Sequence, residues 1–467
     1  RFSMFGSHRR SLRLFACLPL VVFLLLPITA HGGFLYLLND DSTGNRIYGF
    51  QVNESTGQLT LLAGFPVSAQ IGGINNIVSE RMTVDAANRR LYVINEGSDT
   101  VTAYSIDSTT GAISPMPFSP IGLGAGTWNT VAVHPSGSPL IVSNGATGTG
   151  ASSFIVTPTT ITGATGNPFL VGATSAFSST FSRDGAYFYT GGNTGTVIAG
   201  FSVNASNGVL TALPGSPFAA GGTSTIAYAT DAAGRFFGVD NAFNLRIFTT
   251  SSGVLSPTAG SPFPSGMTQR RMGLVHPNGN FYFVAGNTGN NVGVYQISGS
   301  GSATTVTAVP GSPFATGATT ANVIALNRDG TYLFVGNRIS RSVTTFSVNP
   351  STGVLANLGS QASNTLGAVG AIDGIGYLPD LLIAEARIAG RVTNAGGQGI
   401  ANVIIYLTGG KSATYARTNP FGYYSFDLMD TGVSYTLTPS RKGLTFTPPS
   451  ITFNHVGDVT DRDFTGQ

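Results

Sequence analysis

Two glutamates and two arginines are the side chains of this sequence best suited to acyl chemistry: Glu80, Glu96, Arg271 and Arg338. A carboxylate can take a proton from water as that water attacks a carbonyl carbon. A guanidinium can hold the oxyanion that develops, or clamp a carboxylate through two parallel N–H groups. Asn95, Asp240 and Arg270 are candidates for gripping a ligand by hydrogen bonds, and Trp128, the one tryptophan, for stacking on a sugar ring. Asp40, Asp41, Arg81, Asp99 and Arg341 complete the charged set. The competing reading of these charges is a solvated rim of loose ion pairs, each worth about 0–1 kcal/mol. For Trp128 the competing reading is core packing.

Other catalytic groups are scarce. His134 and His276 occupy matching places in "HPSG" and "HPNG", which read as tight turns rather than as sites of general bases. His31 and His455 stand apart from them. No cluster has zinc-ligand spacing. "NDDSTGN" (39–45) offers oxygens but lacks the rest of a calcium loop. The Gly-x-Gly matches do not follow a strand and open a helix, so they read as turns. No metal and no cofactor is expected.

The first thirty residues differ from the rest. Arg9, Arg10 and Arg13 precede the apolar run "LFACLPLVVFLLLPI" (14–28), and Ala30 offers a small residue for cleavage. That pattern predicts an export signal over 1–30, hence an extracellular or periplasmic protein. The run is shorter than the ~20 residues of a membrane span, so none is expected once the signal is removed. The formal charge of +3 owes itself to this segment, because the remainder holds 19 basic against 20 acidic residues. Without a basic field, nucleic acid is excluded as a partner. The single cysteine, Cys17, also lies in the segment, leaving no disulfide or Cys–metal site beyond it.

Charged residues make up only 9% of the chain, and Gly, Ser, Thr and Asn fill their place. Such a composition suits short strands joined by polar turns better than amphipathic helices. Internal repetition supplies the arrangement. "FSVNASNGVL" (201–210) and "FSVNPSTGVL" (346–355) are nearly the same text. Repeating landmarks run through the whole region around them. One is an apolar strand ending near Asn: "YLLN", "YVIN", "IVSN", "YTGGN", "FGVDN", "FVAGN" and "LFVGN". The next is a strand closed by a Gly turn, such as "STGQL" or "TTGAI". The last is a Pro-Phe pair at Pro117, Pro168, Pro217, Pro262 and Pro313, spaced by 51, 49, 45 and 51 residues. Each unit also carries a strand before its Asn-ending strand, as in "TVAVHPSG" (130–137) or "VIALNRDG" (323–330). Four short strands per unit, repeated radially, predict propeller blades. Seven Asn-ending strands but six preceding strands leave one missing, and "GAIDGIGYLP" (370–379) is placed to supply it. The first blade is therefore expected to be completed by the far end of the propeller region.

"LYVINEGSDTVTAYSIDSTTGAI" (91–113) resembles a repeat of the lactonase-type seven-bladed propellers and their Tyr-Val-Thr-Asn repeat relatives. The resemblance implies a propeller over 31–380. In such rings, ligands sit at one end of the central channel, where the loops after the Asn-ending strands meet the loops entering the inner strands. Glu80, Glu96, Asn95, Asp240, Arg270, Arg271 and Arg338 fall on that face. Trp128, just before an inner strand, falls beside it. The Asn ring itself reads either as a polar rim or as turn closure through each residue's own backbone.

After a linker at 381–387 the text changes. "GRVTNAGGQGIANVIIYL" and "TNPFGYYSFDL" resemble the carboxypeptidase-regulatory-like, transthyretin-type β-sandwich, expected over 388–467. Such modules space, stabilise or attach a neighbour. The expectation is thus an all-β protein, a propeller followed by a sandwich. It would act as an exported binding or scaffolding module for a small carbohydrate-like ligand or a surface polymer or protein, with self-association through the sandwich. The alternative is a lactonase-like hydrolase of a sugar lactone or related sugar acid. Against that alternative stand the cytosolic location of phosphorylated lactones and the absence of histidine from the expected active face.

Overall fold

The computed structural model describes residues 32–467 apart from 71–78, 147–149, 173–174, 193–194, 362–369, 380–384, 410–413, 431–432 and 456–457. The expected export signal at 1–30 and most of the expected linker lie outside the described residues.

Among the described residues, seven antiparallel sheets form the propeller. Blade 2 shows the plan. Its strands run Met82–Asp85, Arg90–Asn95, Thr100–Ile106 and Ile113–Pro115 from the channel outward, each paired with the next. The inner strands of blades 3 to 7 are Trp128–Val133, Ala176–Phe181, Ile226–Thr230, Gly273–Val275 and Ala321–Leu326. Second strands such as Arg90–Asn95 and Phe281–Gly286 are buried at every residue. Each is covered on both faces by the neighbouring blades, which is why its text is an unbroken apolar run rather than an alternation. The core is accordingly a set of seams between adjacent blades. Tyr92, Val101, Val131 and Val142 fill the seam between blades 2 and 3. Phe281, Val294, Leu333 and Phe346 fill the seam between blades 6 and 7.

The ring closes as the sequence implies. Ala371–Leu378 lies antiparallel to Phe34–Asp40, with Phe34 opposite Leu378 and Asp40 opposite Ala371. It is the inner strand of blade 1, whose other strands are Phe34–Asp40, Arg46–Val52 and Leu59–Leu61. The two near-identical decapeptides are the third strands and following turns of blades 4 and 7.

Two expectations need correction. A unit holds not four strands but five in blades 1 to 6, because a two-residue strand turns back onto the third strand. In blade 2 that strand is Ile121–Gly122, which pairs with Thr100 and Val101. The landmark proline there is Pro120, not Pro117; Pro117 belongs to the preceding turn. In blade 7 one long fourth strand, Leu355–Gln361, spans the region that two short strands cover elsewhere.

The C-terminal residues form two four-stranded sheets. One has the order Tyr423–Asp430, Glu385–Thr393, Phe464–Gly466, Phe446–Thr447, and the other Thr414–Arg417, Ile404–Thr408, Val433–Ser440, Ile451–His455. Ile388, Val392, Ile405, Leu437 and Phe464 pack between them as one core, so the fold is a β-sandwich. No helix among the described residues is long and apolar enough to cross a membrane.

Candidate active site at the channel mouth

By connectivity, the loops after the second strands and the entries to the inner strands share one face of the ring, the upper. The inner hairpin turns share the lower. The upper mouth carries a compact charged cluster built from four blades. Arg81, fully buried at the entry to the inner strand of blade 2, bonds the carboxylates of both Asp40 and Glu96. Asp40 ends the second strand of blade 1, and Glu96 follows that of blade 2. Beside them, Asp373 in the closing strand accepts from Arg338 Nε at 2.7 Å, Arg338 Nη2 at 3.3 Å and Asn322 Nδ2 at 2.8 Å.

The two halves share one electrostatic neighbourhood. Burial pushes the Asp40 carboxyl up, to about 7, against the pull of Arg81, with Asp373 and Glu96 adding to the rise. Burial likewise raises Asp373, opposed by Arg338, Arg81 and Arg271. Arg271 is lowered by burial and by the nearby Arg338. Its side chain makes no hydrogen bond or ion pair among the described residues, and its Nε is buried. Among the described residues, one guanidinium at the mouth thus carries no hydrogen bond.

The other predicted residues divide. Asp240 forms an ion pair with Arg246 of its own blade, at 2.7 Å from Nε, and receives the Asn244 N–H at 3.0 Å, so it holds a turn. Arg270 spends its guanidinium on Val239 O at 3.1 Å and Ser224 Oγ at 3.0 Å. Burial and the adjacent Arg271 lower it to about 10. Asn95 donates to Val93 O, Thr100 and Thr102 and accepts from Asn45, closing its turn rather than presenting an amide. Asn337 does the same in blade 7. Asn193 lies outside the described residues. Trp128 packs in the seam of blades 2 and 3, its indole N–H on Gly124 O at 2.9 Å; it is a core residue and offers no platform. Glu80 faces away from the cluster, toward the channel and blade 4. His134 and His276 lie in lower-face turns, their Nδ1 atoms engaged by Ser136 N–H and Asn278 N–H.

Sequence reasoning missed Asp373 as a site residue and Arg246 as a partner. Asp373 had a signal: it is the one charged residue in the otherwise apolar closing strand.

The described residues contain no group of three or more His, Cys, Asp or Glu side chains suited to holding a metal ion. No curated protein matches the chain. Solved structures with the same fold include a protein from Bacteroides fragilis, described as a candidate 6-phosphogluconolactonase. It is 15% identical, with 75% of this chain and 99% of that chain covered and a TM-score of 0.58. A protein from Lactobacillus plantarum is 14% identical, over 74% of this chain and 99% of that one, with a TM-score of 0.58. The periplasmic gluconolactonase of Pseudomonas aeruginosa is 15% identical over 74% and 99%, with a TM-score of 0.52. The family described as "Lactonase, 7-bladed beta-propeller" matches residues 26–129 and 237–367, together half of the chain. Those stretches take in blades 2, 6 and 7 and the three outer strands of blade 1, though not the closing strand that carries Asp373, and the chain belongs to the lactonase seven-bladed β-propeller family.

Proposed function

We propose that the chain hydrolyses a lactone of a sugar acid at the upper mouth of its channel. The observation that carries this reading is the asymmetry of the cluster. Arg81 clamps Asp40 and Glu96, while Arg271, in the field of Asp373, makes no hydrogen bond or ion pair among the described residues. Glu96, whose side chain is 15% exposed, is the carboxylate that reaches solvent and serves as the base. It takes a proton from water, and the water oxygen adds to the lactone carbonyl. Arg271 holds the oxyanion. Collapse breaks the ring C–O bond, and the departing alkoxide takes the proton from Glu96, leaving an open hydroxy acid. Arg81 positions the base, and Arg338, engaged by Asp373, steadies the wall beside it. Membership of the lactonase family and the gluconolactonase named among the structural neighbours support this reading over a binding or scaffolding role.

The test is hydrolysis of glucono-δ-lactone by the purified chain. Glu96→Gln and Arg271→Ala are each expected to lower kcat by about 10²–10³ with folding intact, the size of a lost base or oxyanion donor. Turnover in either variant equal to that of the unaltered chain overturns that residue's role. Saturable binding without turnover by the unaltered chain returns the protein to the binding-module reading.

The basic, apolar start supports export to the periplasm or cell surface, which fits a lactone without phosphate. An N-terminus at His31 in the secreted protein is the expected outcome, and retention of residues 1–30 in the cytoplasmic fraction refutes it. The sandwich, similar in text to carboxypeptidase-regulatory-like modules, would serve as the attachment or self-association unit.

A further inference from the structure

The charged mouth leaves a second space in the channel unused. Below it the channel opens into a cavity of about 510 Å³, walled by residues of the inner strands of all seven blades. Glu80 stands at its upper end. The carboxylate reaches from blade 2 past blade 3 to blade 4, where Ser178 Oγ donates at 2.6 Å and Ser179 N–H at 2.7 Å. Ser178 Oγ in turn accepts the Tyr228 N–H at 2.9 Å, which ties in blade 5. Glu80 is 9% exposed and forms no ion pair among the described residues. The Tyr228 hydroxyl is buried nearby and has no hydrogen-bond partner among the described residues. Tyr228 lines the cavity and lies in the field of Glu80.

A carboxylate removed from water is costly unless a cation meets it. Each Glu80 oxygen already accepts one hydrogen bond and retains a second lone-pair direction. With the Tyr228 hydroxyl oxygen, the ceiling offers three acceptors to the cavity. A primary ammonium has three N–H donors. Below the ceiling Val84, Val133, Leu274 and Leu326 give the wall apolar stretches that an alkyl tail can follow. We infer that the lower channel is a second site, separate from the hydrolytic mouth, that binds a small alkylammonium ion with its charge on Glu80 and an N–H group on Tyr228.

The remaining ionisable groups facing Glu80 are Tyr228 and Tyr282; Tyr282 donates to Ala227 O at 2.5 Å, and both stay neutral at ordinary pH because burial raises them. Arg183 lines the cavity but is exposed. Glu80 is therefore the group whose protonation controls the site.

The probe is n-butylammonium, with 1-butanol as its neutral counterpart, measured by calorimetry and thermal shift on the whole chain. One saturable site per chain is expected for butylammonium at pH 8, none for butanol, and at least tenfold weaker binding at pH 5. Glu80→Gln abolishes the site, and Tyr228→Phe weakens it several-fold. Should Glu80→Gln fail to fold, Val133→Trp, which fills the cavity, is expected to abolish binding instead. No butylammonium binding by the unaltered chain overturns the inference. So does binding by butanol equal to that of butylammonium, and so does binding that survives either Glu80→Gln or the pH change. Lactone hydrolysis in Val133→Trp is expected to be unchanged, which separates this site from the mouth.

Discussion

At the scale of single residues, Glu80 and Asp40 set a pH dependence of stability. Burial raises both carboxyls to about 7. The unfolded chain releases these protons near the ordinary carboxylate range, whereas the folded chain holds them longer. Between about pH 4.5 and 7 the folded state binds more protons, so its stability is greatest at the acid end and falls as pH rises. For Glu80 the loss is on the order of 3 kcal/mol across that window. Denaturant titrations at pH 5 and pH 8 are expected to show that fall, and Glu80→Gln to remove Glu80's share of it. A slope of the opposite sign in the unaltered chain refutes the assignment. Glu96, Arg338 and Arg271 were legible from sequence because they interrupt polar loops that converge once the ring is known. Asp373 was not, because a charge inside a strand reads as a defect until Arg338 is found beside it. The Asn ring and Trp128 misled in a physical way. Amides and indoles that suit ligands also suit turn closure and seams, and the sequence does not say which donor is already taken.

At the scale of elements, the repeated Gly turn joins neighbouring blades. Gly353 has φ +71°, and a Cβ there would fall 2.5 Å from Phe281, the first residue of the second strand in blade 6. Gly253 meets Tyr187 of blade 4 in the same manner, at 2.4 Å. The turn thus needs both a left-handed backbone and an open face for the adjacent ring. Gly353→Ala is expected to cost about 2–4 kcal/mol, combining backbone strain with overpacking, read as a lowered midpoint in thermal unfolding; a loss under about 0.5 kcal/mol refutes the packing role. The strands, their order and the closing strand were readable because seven copies average out local noise. The fifth, two-residue strands were not, since two residues carry no period.

At the scale of the whole molecule, closure rests on more than one ladder of hydrogen bonds. Glu54, in the outer turn of blade 1, accepts from Gly33 N–H at 3.1 Å and Tyr377 O–H at 2.6 Å with one oxygen, and from Asn327 Nδ2 at 2.6 Å with the other. One carboxylate therefore grips the start of the propeller, its closing strand and blade 7. Charge-assisted bonds of this kind are worth about 1.5–3 kcal/mol each. Glu54→Ala is expected to cost about 3 kcal/mol and to speed hydrogen exchange first in Phe34–Asp40 and Ala371–Leu378; uniform exchange across all blades contradicts that role. Nothing in the repeat marks Glu54, because it works only where the pattern is broken by the two ends.

Phe34 and Leu378 lie side by side at the lower rim, whereas Asp40 and Ala371 meet at the upper. Both the leading and the trailing peptide therefore leave the ring on the side remote from Arg271. A tether fixed to either peptide would point the opposite rim outward, and a solute arriving from the surrounding medium would meet the guanidiniums before it met any anchor.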